Sequence, residues 1–177
     1  MSAQIEYAKA LFMLSEELGS TEEVLSDVMT SAEVLAENPE YAKLADTPAL
    51  SVPEKLGLIS QAFASLTEPV RNLLMILCEK HSVSLFPAIA REYRSLYNEA
   101  RGIIPAEAVT AKPLSSEDMD RLRARLEAVT GKTVILKNSI DEELLGGIKL
   151  RYSGIQLDGS LKSRLDAIET RLKNAVV

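Results

Sequence analysis

The sequence predicts a mainly α protein: an N-terminal six-helix bundle followed by a small α+β C-terminal domain. Three observations carry that prediction. Apolar residues recur at spacings of three and four from Ala3 to about Arg101. After Gly102 the repeat gives way to short alternating runs. The connections between the helical stretches are short, as an antiparallel bundle requires. The boundary is placed between residues 104 and 105, giving domains 1–104 and 105–177.

The first helix rests on Tyr7, Ala8, Leu11, Leu14, Ser15 and Leu18, and Gly19 ends it as a C-terminal cap. Ser20 or Thr21 caps a second helix reaching Glu37, with Val24, Leu25, Val28, Ala32 and Leu35 on its apolar positions. Pro39 and Pro48 bracket a short third helix over residues 41–45. Ser51-Val52-Pro53-Glu54 starts a fourth, with a Ser cap, Pro in the first turn and Glu three after the cap. It runs to about Ala64. Pro69 opens a fifth helix, and Leu85 or Pro87 a sixth that carries Ile89, Tyr93, Leu96 and Tyr97. Beyond Gly102, Ile103–Ala111 reads as a strand that Pro105 confines to a sheet edge or to the strand's start. Ser115 and its neighbours cap an amphipathic helix through Leu122, Leu126 and Val129, which Gly131 ends. Val134–Leu136 is a second strand. Ile148–Tyr152, the Ser153-Gly154 turn and Ile155–Leu157 form a hairpin, and Leu161, Leu165, Ile168 and Leu172 stripe a last helix.

Composition narrows the function classes. The chain has 177 residues, 46% of them hydrophobic, and a net charge of −6. Its longest apolar run, Leu73 to Cys78, falls far short of the roughly 18 residues needed to cross a bilayer. The first residues lack the basic and apolar stretches of a secretory signal, so a cytoplasmic chain is expected. Residues 1–46 hold ten acids against two bases, whereas residues 105–177 hold eleven acids against twelve bases. An acidic leading segment argues against nucleic acid and is compatible with a basic protein partner or a solvated face.

Several motifs resemble chemistry without completing it. Thr130-Gly131-Lys132-Thr133 lacks the earlier glycine of a phosphate loop, since Leu126 stands there, and the strand and helix come in the wrong order. Asp141-Glu142-Glu143 reads as the acidic first turn of a short helix. Gly146-Gly147 reads as a turn into the Ile148 strand, and Asp158-Gly159-Ser160 as the hairpin's end and the cap of the final helix. Cys78 and His81 could pair as nucleophile and base, but no third orienting group accompanies them; a half-buried thiol near a helix end is the simpler reading. Neither catalytic residues nor a metal or cofactor site is predicted. What stands out is apolar excess. In the first helix Ala8, Leu11, Ser15 and Leu18 share one side and Tyr7, Ala10 and Leu14 another, while Leu73–Leu77 cover nearly all angles of the fifth. Such helices are central in a core or bind a partner helix, and periodicity alone favours the core.

These residues also resemble a known family. Tyr7-Ala8-Lys9-Ala10-Leu11-Phe12 is similar to the opening helix of the ATP synthase delta subunit, the oligomycin-sensitivity-conferring protein of mitochondria. Asn38-Pro39, Pro48-Ala49-Leu50, Lys55, Phe63, Asn72-Leu73-Leu74, Pro87, Tyr93 and Pro113-Leu114 follow at the family's spacing. The most specific stretch holds Val134, Leu136, Ile140, Asp141, Leu144, Gly146, Gly147, Ile148, Leu150 and Arg151, then Asp158-Gly159-Ser160. Two departures lie at element ends: Lys80-His81-Ser82 where the family often has a glycine and a basic residue, and the turn glycine at Gly154 instead of Ser153. The resemblance implies a groove on the first and fifth helices for the N-terminal helix of an α subunit, lined by Tyr7, Ala10, Leu11, Leu14, Val70, Leu73, Leu74 and Leu77. It implies a C-terminal domain that meets the C-terminal ends of the peripheral-stalk b subunits. The implied role is a non-catalytic stator piece at the cytoplasmic face of a bacterial plasma membrane, reaching the membrane only through the complex. The alternative is a helical adaptor that captures an amphipathic helix of an unrelated partner.

Overall fold

The computed structural model describes residues 2–47, 52–144 and 146–160. Six α-helices come first: α1 (Ala3–Glu17), α2 (Thr21–Glu37), α3 (Pro39–Asp46), α4 (Val52–Ala62), α5 (Glu68–Glu79) and α6 (Phe86–Ala100), with a 3-10 turn at Val83–Leu85. Then come β1 (Ile103–Thr110), α7 (Ser116–Thr130), β2 (Thr133–Ile140), β3 (Ile148–Tyr152) and β4 (Ile155–Asp158). The protein is mainly helical, with a small mixed four-stranded sheet in its C-terminal part. It divides into two units between Tyr97 and Asn98, inside the last turn of α6 and ahead of the expected 104/105 boundary. The expected Ser51 cap and the terminal helix of Leu161, Leu165, Ile168 and Leu172 lie outside the described residues.

The first unit closes over one core. Ala8 and Leu11 of α1, Val24 and Val28 of α2, Leu73, Leu74 and Leu77 of α5 and Phe86, Ile89 and Tyr93 of α6 all bury their side chains in it. Leu18, placed by periodicity on α1's inner side, is instead 60% exposed, because the helix ends at Glu17 and Gly19 turns the chain at φ +66°. Two buried hydroxyls tie three helices together. The Ser15 hydroxyl donates to the Phe12 carbonyl at 2.8 Å and lies 2.7 Å from the Tyr93 hydroxyl, which is 3.3 Å from the Thr21 carbonyl. Buried polar groups are tolerable only when satisfied in this way. The Tyr93 phenol is accordingly held above its ordinary pKa, mainly by burial, with the Ser15 hydrogen bond acting the other way.

In the second unit the strand order is β2-β1-β3-β4, with β1 parallel to β2 and antiparallel to β3. Of the two placements Pro105 allows, a sheet edge or the strand's start, the structure takes the second: β1 is interior. Pro105 sits near its start, opposite Ile135, while the β3 ladder begins only at Ala106↔Tyr152, so no β3 partner faces the missing N–H. Ile104, Ala106 and Ala108 of β1 join Val134, Leu150 and Leu126 of α7 in a separate small core. The α7 cap is as expected: the Ser115 hydroxyl oxygen accepts from the Asp118 N–H at 3.1 Å, and Gly131 takes the left-handed position at φ +67°. The acidic run at Asp141 is not a helix start. Its carboxylate accepts from the Glu143 N–H at 3.0 Å and its carbonyl from the Leu144 N–H at 3.1 Å, so the side chain closes a turn that competes with helix.

Ser153 and Gly154 both have positive φ, 46° and 77°, the type I′ geometry that matches the twist of a two-residue hairpin. Glycine meets that demand freely and serine does not. Ser153→Asn is therefore expected to stabilise the second unit by a few tenths to about 1 kcal/mol, measured by denaturant unfolding. No helix among the described residues is long and apolar enough to cross a membrane.

Candidate partner interface

The eight residues expected to line a groove separate by burial. Val70, Leu74 and Leu77 are wholly buried, and Leu73 and Leu11 are only 6% and 5% exposed. These five are spent on the first unit's own core. Tyr7 is half-buried against that core, whereas Ala10 is exposed and Leu14 is 43% exposed. The outward surface of α1 also includes Met13, 63% exposed, at the i+3 position from Ala10. Ala10, Met13 and Leu14 thus form an apolar stripe on the side of α1 opposite Ala8, Leu11 and Ser15. Exposed Glu6, Glu16 and Glu17 stand among or beside its turns. α5 packs against α1 and leaves Ile76 42% exposed. Sequence reasoning missed Met13 and Ile76 as surface residues. Met13 was legible in principle, since it completes the i, i+3, i+4 triplet begun by Ala10.

The glycine and acid motif of the second unit also comes together. Gly147, at φ +87°, lies so close to the hairpin's end that a β-carbon there would meet the Gly159 carbonyl oxygen at 2.5 Å and the Ser160 Cα at 2.7 Å. Gly146 precedes it in the same turn. The Gly159 N–H donates to the Ile148 carbonyl at 2.9 Å, and the Asp158 carboxylate accepts from the Ser160 N–H at 2.9 Å. Hydrogen bonds from the Ser160 side chain and backbone hold the Asp158 carboxyl below its ordinary pKa. The five residues therefore form a backbone junction that closes β3 against the end of β4. The cap they were expected to give the final helix falls outside the described residues.

The Cys78–His81 pair does not assemble as nucleophile and base. Cys78 is 1% exposed, so it is fully rather than half buried, and burial is the largest cause raising its thiol pKa, with Lys55 acting in the opposite direction. The His81 ring nitrogen Nδ1 instead meets the Lys55 ammonium at 3.0 Å. Native Cys78 is expected to resist iodoacetamide at pH 7.5 and to react at the rate of an ordinary thiol once urea unfolds the chain; rapid alkylation of the folded protein would contradict its placement. No group of three or more His, Cys, Asp or Glu side chains capable of holding a metal occurs among the described residues.

Comparison with known proteins places this architecture. The sequence profile described as "ATP synthase delta (OSCP) subunit" matches residues 3–172. The ATP synthase subunit delta of Geobacillus sp. (strain WCH70) is 35% identical over 167 residues, covering 94% of this chain and 94% of the relative. That of Priestia megaterium is 33% identical over 167 residues, covering 94% of this chain and 92% of the relative. Among solved structures, a chain of the Toxoplasma gondii mitochondrial ATP synthase hexamer, determined by cryo-EM, superposes with a TM-score of 0.73 at 25% identity, covering 97% of this chain and 98% of that one. With the match running through both units, the chain belongs to the ATP synthase delta (OSCP) subunit family.

Proposed function

We propose that this chain is a non-catalytic stator component of an F-type ATP synthase, joining the catalytic head to the peripheral stalk so that the head resists rotation. The six helices of the first unit act as one bundle, and its α1/α5 surface receives the N-terminal helix of an α subunit. The second unit meets the C-terminal ends of the b subunits, at the cytoplasmic face of a bacterial plasma membrane. The observation that carries the head contact is the α1 stripe of Ala10, Met13 and Leu14, apolar, exposed and edged by carboxylates. An amphipathic helix laid on it gains about 25 cal/mol per Å² of apolar surface covered, less the cost of ordering. The acids beside it favour a segment with basic flanks.

The test is calorimetric titration of the chain with a synthetic α-subunit N-terminal peptide. Leu14→Asp or Ala10→Asp puts an unpaired carboxylate in the apolar contact and is expected to weaken binding about hundredfold or more, on the order of 3 kcal/mol. Circular dichroism should remain that of the parent, because both side chains are exposed. Unchanged peptide affinity would overturn the assignment of this surface. Capture of an amphipathic helix from an unrelated protein, with no binding to the α-subunit peptide, would favour the adaptor reading instead.

A further inference from the structure

The ladder between β1 and β3 stops short of the end of β1. Its last pair is Ala106↔Tyr152, and the next residue of β1 is Pro105, which has no N–H with which to continue. By that point β3 has turned through Ser153 and Gly154 into β4. The space left between Pro105 and the turn is an open depression of about 310 Å³, lined by Pro105 and by the hairpin from Arg151 to Gln156. That is the small end of ligand-sized pockets. It has room for one side chain and a small polar group, but not for the flank of a helix about 10–12 Å across.

Its walls differ in chemistry. Pro105, Tyr152 and Ile155 supply apolar surface, and Ile155 is 49% exposed. Arg151 supplies charge. Register places Glu107, Arg151 and Gln156 in one row across the sheet, on the face turned away from the core that Ala106, Ala108 and Leu150 share with α7. Glu107 is the acid in that row and is partly committed elsewhere. One of its oxygens accepts from the Ser139 hydroxyl at 2.7 Å, and the other accepts from Arg151 at 3.4 Å. The ion pair is long, with side chains 54% and 41% exposed, and pairs of that kind hold weakly. Among the described residues it engages one of the five guanidinium donors, so the planar fork that fits a carboxylate remains available.

Resting on the reading that the second unit meets the C-terminal ends of the b subunits, we infer that this depression captures the last residue of such a chain. The terminal carboxylate sits on the Arg151 guanidinium, and an apolar side chain of that residue lies against Pro105, Tyr152 and Ile155. A chain end is the occupant that brings both groups from one residue. An interior apolar residue brings a neutral amide where the carboxylate would be, so the guanidinium distinguishes the end of a chain from its middle.

The test is calorimetric titration of the full chain at pH 7.5 with a synthetic C-terminal segment of a b subunit, made with a free carboxylate and as the terminal amide. The free acid is expected to bind about tenfold or more tighter than the amide. Arg151→Gln is expected to weaken the acid to the level of the amide and to leave the amide's affinity as it is for the parent. The Arg151 side chain is 54% exposed, so the variant should keep parental circular dichroism. Equal affinity of acid and amide for the parent would overturn the capture of a chain end and leave the stalk contact standing. Equal weakening of both forms by Arg151→Gln would also overturn it, because the guanidinium would then hold some group other than the terminal carboxylate. Binding of neither form would overturn the stalk reading, and this occupant with it.

Discussion

Replacing Gly147 by alanine is expected to destabilise the second unit by about 3 kcal/mol or more, the largest effect of any conservative substitution in that unit. Two costs coincide. The residue must hold φ +87°, which an L side chain resists by about 1–2 kcal/mol. Its β-carbon would also be driven to 2.5 Å from the Gly159 carbonyl oxygen and 2.7 Å from the Ser160 Cα. Both obstacles are backbone, so no side-chain rotation relieves them, and overpacking of this kind adds about 1–3 kcal/mol. Hydrogen exchange reads the outcome directly. Sheet amides of β1, β3 and β4 should lose protection in the variant while those of α1–α6 keep theirs. Parental protection throughout would show that Gly159 and Ser160 do not press on this turn. The glycine is thus explained by a close approach as well as by its torsion angle.

The other large effect is expected in the first unit. Leu74 is fully buried on α5, and Leu74→Ala should cost about 2–5 kcal/mol through lost transfer energy and the cavity left behind. Ile76, two residues on and 42% exposed, should tolerate the same truncation at a cost of about 1 kcal/mol or less. Denaturant unfolding of the two variants separates core from surface on one helix. It also separates two ways of losing a partner. A peptide-binding defect in Leu74→Ala should track its loss of folded protein, whereas Leu14→Asp should lose affinity at parental stability. A larger cost at position 76 than at position 74 would mean that α5 is inverted relative to the core described here.

That contrast shows where the sequence stopped being informative. The helices were legible because their ends carry chemistry: Pro39 in the first turn of α3, Pro69 in that of α5, Ser115 capping α7 and Gly131 closing it. Which face of α5 points inward was not legible, since residues 73–77 are apolar without a break and periodicity has nothing to contrast. Only packing against the other helices turns Leu73, Leu74 and Leu77 in and Ile76 out. In the sheet, Pro105 left a sheet edge and the strand's start both open, because the missing N–H is a local fact, whereas the length of the neighbouring β3 ladder, which decides between them, is a tertiary one. The Asp141 turn was misread because acids suit a helix start and an Asx turn alike. The Lys55–His81 bond joins residues far apart in the chain, and a buried lysine runs against what composition leads one to expect.

The mixed sheet also sets a local pairing against a non-local one during folding. β3 and β4 are joined by two residues, so their hairpin can close in about 1–10 μs without help from the rest of the unit. β1 and β2 must instead find their parallel register, Ile103 against Thr133, across the whole of α7, and non-local pairing of that kind is slow. The hairpin can therefore close and reopen while β1 is still unpaired, since two strands alone are marginally stable. During that interval the free edge of β3 is a template for any extended chain nearby. The arrival of β1 covers that edge of β3 and leaves β2 and β4 as the outer strands of the described sheet.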